Sequence, residues 1–378
     1  MSYTIALVYE RKQDYLAKGF SEEECAELEE NETIDALTWA LESLGHTVVQ
    51  VGDIKDLVAC LAQSSHQSWD LVFSTSEGIH GLAREAQVPA LLEAYEIPFI
   101  GSDAASTVLC HDKAKTKLSL EYCSIPTAPW CLLRNSHDSG ASNMSDRMAS
   151  AKSSSSHADA LSLYPLFVKP VAEGTSKGIY ACSKVDRQSE LEQALSLLSM
   201  RYRGQDILVE SYLAGREFTV GIVGTGSRAR VIGVLEFRFH GRYKKDGAAQ
   251  STQEIDFIIG EMENPSHSAG GVSVEAFMPN MKGDSQVQDA CERALQAYTA
   301  LGGRDFGRVD VRSNRKGSNA IAHIIEINPR PGLRPDASYY PTIAKNHGWS
   351  YEHLIEQIVE SAAERVPTKR GGKGNGSN

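Results

Sequence analysis

Near the C-terminal end two short runs, Arg308-Val309-Asp310-Val311-Arg312 and Ile324-Ile325-Glu326-Ile327-Asn328, alternate apolar and polar residues and continue into Pro329-Arg330-Pro331-Gly332. The pattern predicts two β-strands on which Asp310, Glu326 and Asn328 converge. Three oxygen donors suit a hard cation such as Mg²⁺, and a metal with so few protein ligands keeps phosphate oxygens in the rest of its shell. The pattern predicts a nucleotide-using enzyme.

At 378 residues the chain exceeds what one core organises, so two or three domains with a ligand cleft between them are expected. Net charge is −11, from 38 basic and 49 acidic residues, which disfavours general nucleic-acid or anionic-membrane binding. The seven cysteines form no Cys-x-x-Cys pair and suit neither a disulfide framework nor a zinc site. The apolar N-terminal run is too short for a secretory leader, and no run approaches the roughly 18 apolar residues of a membrane span. A soluble, cytoplasmic protein is expected.

Strand and helix signals alternate through residues 5–9, 33–44, 47–51, 71–74 and 97–100, the pattern of a parallel sheet with covering helices. The serine-rich stretch 134–160 lacks apolar periodicity and is expected to be a mobile insertion. Strands at 166–169, 179–182, 207–210 and 217–223 with a helix at 188–198 describe a small α+β unit. Longer strands and a helix at 287–301 follow within 231–327. The polar connection 241–271 reads as a lid, and the glycine-rich tail 367–378 as disordered.

Lys169-Pro170-Val171-Ala172-Glu173-Gly174-Thr175-Ser176-Lys177-Gly178 leaves a strand through a turn of small residues, where backbone N–H groups, hydroxyls and a lysine can meet phosphate. An ordinary β-turn with a solvated lysine reads equally well from this segment alone. Glu210 and Glu217 flank a glycine turn, as acceptors for an adenine amino group and ribose hydroxyls, with Tyr212 and Leu213 as apolar wall. Two surface glutamates are the blander alternative. Imidazole titrates near neutrality, which brings in His80 and, less strongly, His240.

Taken with Ser76-Glu77-Gly78-Ile79-His80-Gly81, Ile97-Pro98-Phe99-Ile100-Gly101-Ser102 and Asp112-Lys113-Ala114-Lys115-Thr116-Lys117, these segments resemble the ATP-grasp superfamily, and within it the D-alanine–D-alanine ligase family, over about residues 3–110, 165–235 and 275–362. The resemblance implies an α/β and α+β, three-domain ATP-grasp fold with the nucleotide between the central and C-terminal domains. The expected divisions are 1–110, 111–220 with the insertion 134–160, 221–366 and the tail. It implies ATP and a pair of Mg²⁺ ions, or Mn²⁺, as cofactors. Lys113 and Lys169 become the phosphate lysines, with Lys169 also catalytic; Thr175 and Ser176 lie in the phosphate loop. Glu210, Tyr212 and Leu213 face adenine, and Glu217 faces ribose. Asp310, Glu326 and Asn328 hold metal; Arg308 and the Gly332 N–H steady a tetrahedral intermediate.

The chain departs from that pattern after Asn328, where small hydroxyl residues are expected and Arg330 and Arg334 stand instead. Their guanidinium forks suggest a carboxylate contact and a larger or more acidic acceptor. The early glutamate that holds the first amino group has no clean counterpart; Glu30 and Glu32 are candidates, and Tyr243, Lys244 and Lys245 lie where lid contacts are expected. The expected enzyme is an ATP-dependent carbon–nitrogen ligase joining a small carboxylic acid, an amino acid, to an amine through an acylphosphate. It would be a homodimer with small-molecule substrates and no nucleic-acid or membrane partner. An ATP-grasp ligase for a non-amino-acid carboxylate, and a non-catalytic ATP-binding regulator, stay open as alternatives.

Overall fold

The computed structural model describes residues 1–135, 143–243, 251–254 and 272–366. The chain opens with β1 (Thr4–Val8), α1 (Lys12–Ala17), α2 (Asn31–Ser43), β2 (Thr47–Gly52), α3 (Ile54–Ala62), β3 (Leu71–Ser74), α4 (Gln87–Ala94) and β4 (Phe99–Ile100). The strands form a parallel sheet in the order β2-β1-β3-β4. Parallel pairing needs crossover helices on both faces, and β1 shows the consequence. Ile5 and Leu7 pack with Leu37 and Leu41 of α2, whereas Ala6 and Val8 pack with Leu57 and Leu61 of α3.

Helices α5 (Ala104–His111) and α6 (Lys113–Tyr122) lead into a second, antiparallel sheet. It contains β5 (Trp130–Leu133), β6 (Leu166–Pro170), β7 (Lys184–Val185) and β8 (Ile207–Ser211), in the order β5-β8-β6-β7. Helices α7 (Met144–Ser153), α8 (Ala158–Leu161) and α9 (Gln188–Arg201) accompany it. The described part of the serine-rich stretch therefore corrects the expectation of a mobile insertion. Asn143 caps α7 through the Asp146 N–H, and Met148 and Leu161 are fully buried beside Leu166 and Leu195. A few apolar anchors suffice because the sheet supplies the rest of the core. Residues 179–182 are likewise not a strand: a 3-10 turn at Ala181–Ser183 precedes the short β7.

The third sheet has the path β11-β10-β9-β13-β14, with β12 paired to β10. Its strands are β9 (Glu217–Val223), β10 (Arg230–Tyr243), β11 (Ser251–Glu254), β12 (Val272–Phe277), β13 (Phe306–Ser313) and β14 (Ala322–Asn328). Helix α10 (Ser285–Ala300) buries Val287, Ala290 and Ala294 against Val309 and Val311 of β13. Helices α11 (Tyr339–Asn346) and α12 (Tyr351–Ala363) instead join the core of the first sheet, where Tyr340 and Ile355 meet Ile5 and Leu37. Fully buried Asp305 pins this junction, taking bonds from Arg365, from Ser361 Oγ at 2.8 Å and from the Gly101 N–H at 2.8 Å. Most of the expected lid 241–271, including Lys244 and Lys245, and the tail 367–378 lie outside the described residues. No described helix is long and apolar enough to cross a membrane.

Candidate active site

Strands β13 and β14 pair antiparallel with Arg308 opposite Asn328 and Asp310 opposite Glu326. Side chains two apart on a strand share a face, so these four stand together while Val309 and Val311 point into the core. Asp310 accepts from Arg308 at both oxygens (3.1 and 3.0 Å), from Thr219 Oγ1 at 2.6 Å and from Asn328 Nδ2 at 3.1 Å. On neighbouring β9, Glu217 lies across from Arg312 and takes its Nη1 at 2.8 Å; Arg312 also donates to the Tyr212 hydroxyl at 2.8 Å. Burial pushes the Glu217 carboxyl up, against the pull of Arg312.

The second sheet and α6 supply cations. Lys113, at the start of α6, reaches Glu326 at 3.1 Å and the Glu173 carbonyl at 2.5 Å. Lys117 follows four residues later, so it shares the helix face with Lys113. It meets Glu210 Oε2 at 2.9 Å, and Lys169 of β6 meets Glu210 Oε1 at 2.8 Å. Burial opposes charge on Glu210, yet the two ammonium groups hold its carboxyl down to about 2. Between β6 and β7, Thr175 and Ser176 take left-handed φ values of 46° and 57°. Gly178 is required there: its φ is 79°, and a Cβ would stand 2.3 Å from Pro170.

An acidic wall comes from the first sheet and the segment after α1. Glu27 accepts from Arg84 at 2.8 Å and from the Gly174 N–H at 3.0 Å, which ties the 173–177 loop to this wall. His111 sits between Glu85 at 2.5 Å and Arg84 at 3.1 Å. Arg330 faces Glu77 at 3.6 Å and Glu85 at 3.9 Å, and its Nε and Nη2 are buried without a hydrogen-bond partner. Burial raises the Glu77 carboxyl well above the carboxylate range despite Arg330, and raises Glu29 to about 7.

These surfaces enclose one cavity of about 620 Å³. Among the residues singled out from the sequence, it is lined by Lys113, Lys169, Thr175, Ser176, Glu210, Tyr212, Leu213, Glu217, Arg308, Asp310, Glu326, Asn328, Arg330, Gly332 and Arg334. Two candidates fall outside. Glu32 is exposed in the first turn of α2, and exposed His80 packs on Phe20. Glu30 lines the cavity but is paired with Lys12 at 3.1 Å, whereas Glu29 beside it has no ion pair among the described residues. At this wall Arg330 has Glu77 and Glu85 as neighbours, acidic partners that no sequence pattern pointed to.

Lys117, Arg312, Arg84, His111, Glu27 and Glu29 were missed. Lys117 and Arg312 were within reach, one helical turn after Lys113 and two strand residues after Asp310. Glu27 and Glu29 carried no signal within a run of glutamates.

The donor set fits Mg²⁺. Asp310 and Glu326 are partly exposed to the cavity, with side-chain exposures of 23% and 26%, and Asn328 adds an amide. Among the described residues no three His, Cys, Asp or Glu side chains are placed to hold a metal ion by themselves, so phosphate would have to complete the shell.

The family model described as "D-ala D-ala ligase C-terminus" matches residues 120–360. A D-alanine–D-alanine ligase of Halalkalibacterium halodurans is 29% identical over 86% of this chain and 92% of its own length. One from Desulforudis audaxviator is 29% identical over 94% of this chain and 99% of its own. Among solved structures, the D-alanine–D-alanine ligase of Bacillus anthracis complexed with ATP superposes with a TM-score of 0.66 at 20% identity, covering 96% of this chain and 98% of that one. The VanG D-Ala:D-Ser ligase of Enterococcus faecalis gives 0.65 at 20% identity, covering 96% and 100%.

Proposed function

The chain belongs to the D-alanine–D-alanine ligase family, ATP-dependent carbon–nitrogen ligases of ATP-grasp fold, and from that premise we propose how its cavity forms an amide between amino acids. One carboxylate oxygen of the donor attacks the γ-phosphorus and ADP leaves. The amine of the acceptor then attacks the acyl carbon of the acylphosphate, phosphate leaves, and the nitrogen loses a proton. Phosphoryl transfer asks chiefly for positioning and charge neutralisation. The observation that carries the reading is the convergence of Lys113, Lys169, Arg308 and the Asp310, Glu326, Asn328 set on one cavity.

In this reading Lys113 and Lys169 bind phosphate oxygens and the 173–177 loop covers them. Glu210 and Glu217 take the adenine amino group and the ribose; each carboxylate oxygen has two lone pairs, so its pairing with a cation leaves acceptor capacity. Asp310, Glu326 and Asn328 would hold Mg²⁺, which neutralises phosphoryl charge when bound. Arg308, with the Gly332 N–H, steadies the oxyanion of the tetrahedral intermediate. Glu29, rather than Glu32, holds the amino group of the donor. Arg330 offers its unpartnered nitrogens to a substrate carboxylate, with Arg334 nearer the mouth. A cytoplasmic homodimer, and the domain limits given above, belong to the same proposal and rest on the family resemblance.

The acidic wall supports zwitterionic amino acids over simple carboxylic acids. ADP release measured over a panel of L- and D-amino acids, with mass detection of the coupled products, tests this. A dipeptide is the expected product. ADP formation with only non-amino carboxylates, or with no acid at all, would contradict it.

A further inference from the structure

Lys117, Glu210 and Lys169 form a buried ionic triad, with side-chain exposures of 1%, 7% and 4%. The two lysines are not equivalent. Lys117 Nζ has Thr127 Oγ1 at 2.8 Å, the Ala128 carbonyl at 3.3 Å and Glu210 Oε2 at 2.9 Å. Thr127 and Ala128 take two of the three donors of the ammonium, and Glu210 is its ion-pair partner. Lys169 has Glu210 Oε1 as its one ion-pair partner among the described residues, and it lines the cavity that Lys117 does not.

We propose that Lys117 is a positioning residue for the nucleotide, the permanent counter-ion of Glu210 that leaves Lys169 able to turn toward phosphate. The charges make the case. With both lysines present the triad carries one surplus positive charge, which Lys169 can offer to an incoming anion. Without Lys117, Lys169 would be the sole counter-ion of a buried carboxylate, and its departure would strand that charge away from water. The bond to Glu210 would then compete with the bond to phosphate. This inference rests on the reading of Lys169 as a phosphate ligand.

Calorimetry of ATP and of adenosine, without amino acid, separates the possibilities, because adenosine lacks the phosphates Lys169 would meet. Lys117→Met is expected to weaken ATP about tenfold, as a lost charge-assisted contact does, while adenosine changes less than about twofold. Adding Glu210→Gln removes the competing charge, keeps an acceptor for adenine and returns ATP affinity to that of Glu210→Gln alone. Parallel loss of ATP and adenosine affinity, no loss of either, or no recovery in the double variant overturns the proposal. If Lys117→Met does not fold alone, the comparison is made in the Glu210→Gln background, where its effect on ATP must vanish; a tenfold loss there refutes it. Lys169→Ala is the control for the underlying reading: unchanged ATP affinity in that variant would bring down the phosphate assignment itself.

Discussion

Asp310 and Glu326 face each other across the β13–β14 ladder, one ion-paired with Arg308 and the other with Lys113. Each carboxylate thus rests on a cation that phosphate would also attract. Glu326→Gln keeps the side-chain shape and removes one charge, so product formation should fall by at least about a hundredfold with little change in melting temperature. Near wild-type turnover at saturating Mg²⁺ would rule out the metal assignment.

Lys169→Ala and Lys113→Ala should each weaken ATP by about tenfold through loss of a phosphate contact. Glu217→Ala should raise the KM for ATP with a smaller effect on the chemical step, because a ribose contact is largely uniform binding. Titration calorimetry showing unchanged nucleotide affinity in both lysine variants would remove the phosphate site.

Glu29 titrates near 7 because burial disfavours its charge, and the Thr33 hydroxyl offsets this only in part. An ammonium is held by the ionised form, so kcat/KM for the donor should rise with pH through about 7 and flatten in Glu29→Gln. The folded value lies above the ordinary 4.5 of a glutamate, so the fold binds the extra proton and this group's contribution to stability falls as pH rises from 4.5 to about 7. A kcat/KM profile identical in Glu29→Gln would exclude the role.

Met148 and Leu161 are core residues, so Met148→Ala and Leu161→Ala should each cost about 2–5 kcal/mol in chemical denaturation, as buried truncations do. A mobile serine-rich segment would give no change.

The parallel sheet was legible because Ile5 to Val8 and Leu71 to Phe73 form continuous apolar runs at crossover spacing. The Asp310–Glu326 face was legible because period 2 puts Arg308 and Asp310 on one side of their strand and Glu326 and Asn328 on one side of theirs, and the short connection between the strands suits antiparallel pairing. The α7–α8 segment was not, since two methionines and a single leucine among serines set no periodicity, and only the sheet beneath Met148 and Leu161 makes their burial worthwhile. The choice of Glu29 over Glu32 was equally hidden: it depends on where α2 begins. Asn31 starts the helix, which turns Glu32 to solvent and leaves Glu29 in the approach to the cavity. The pairing of Arg330 with Glu77 and Glu85 joins residues about 250 positions apart, a distance no local pattern spans.

Every step proposed for the cavity follows from attack of a substrate carboxylate oxygen on the γ-phosphate of ATP. An amino acid labelled with ¹⁸O in its carboxylate, incubated with ATP, Mg²⁺ and the enzyme, reports this directly. The expected products are ADP together with inorganic phosphate that has gained one ¹⁸O atom per amide formed. Unlabelled phosphate, or release of AMP and pyrophosphate, would contradict it.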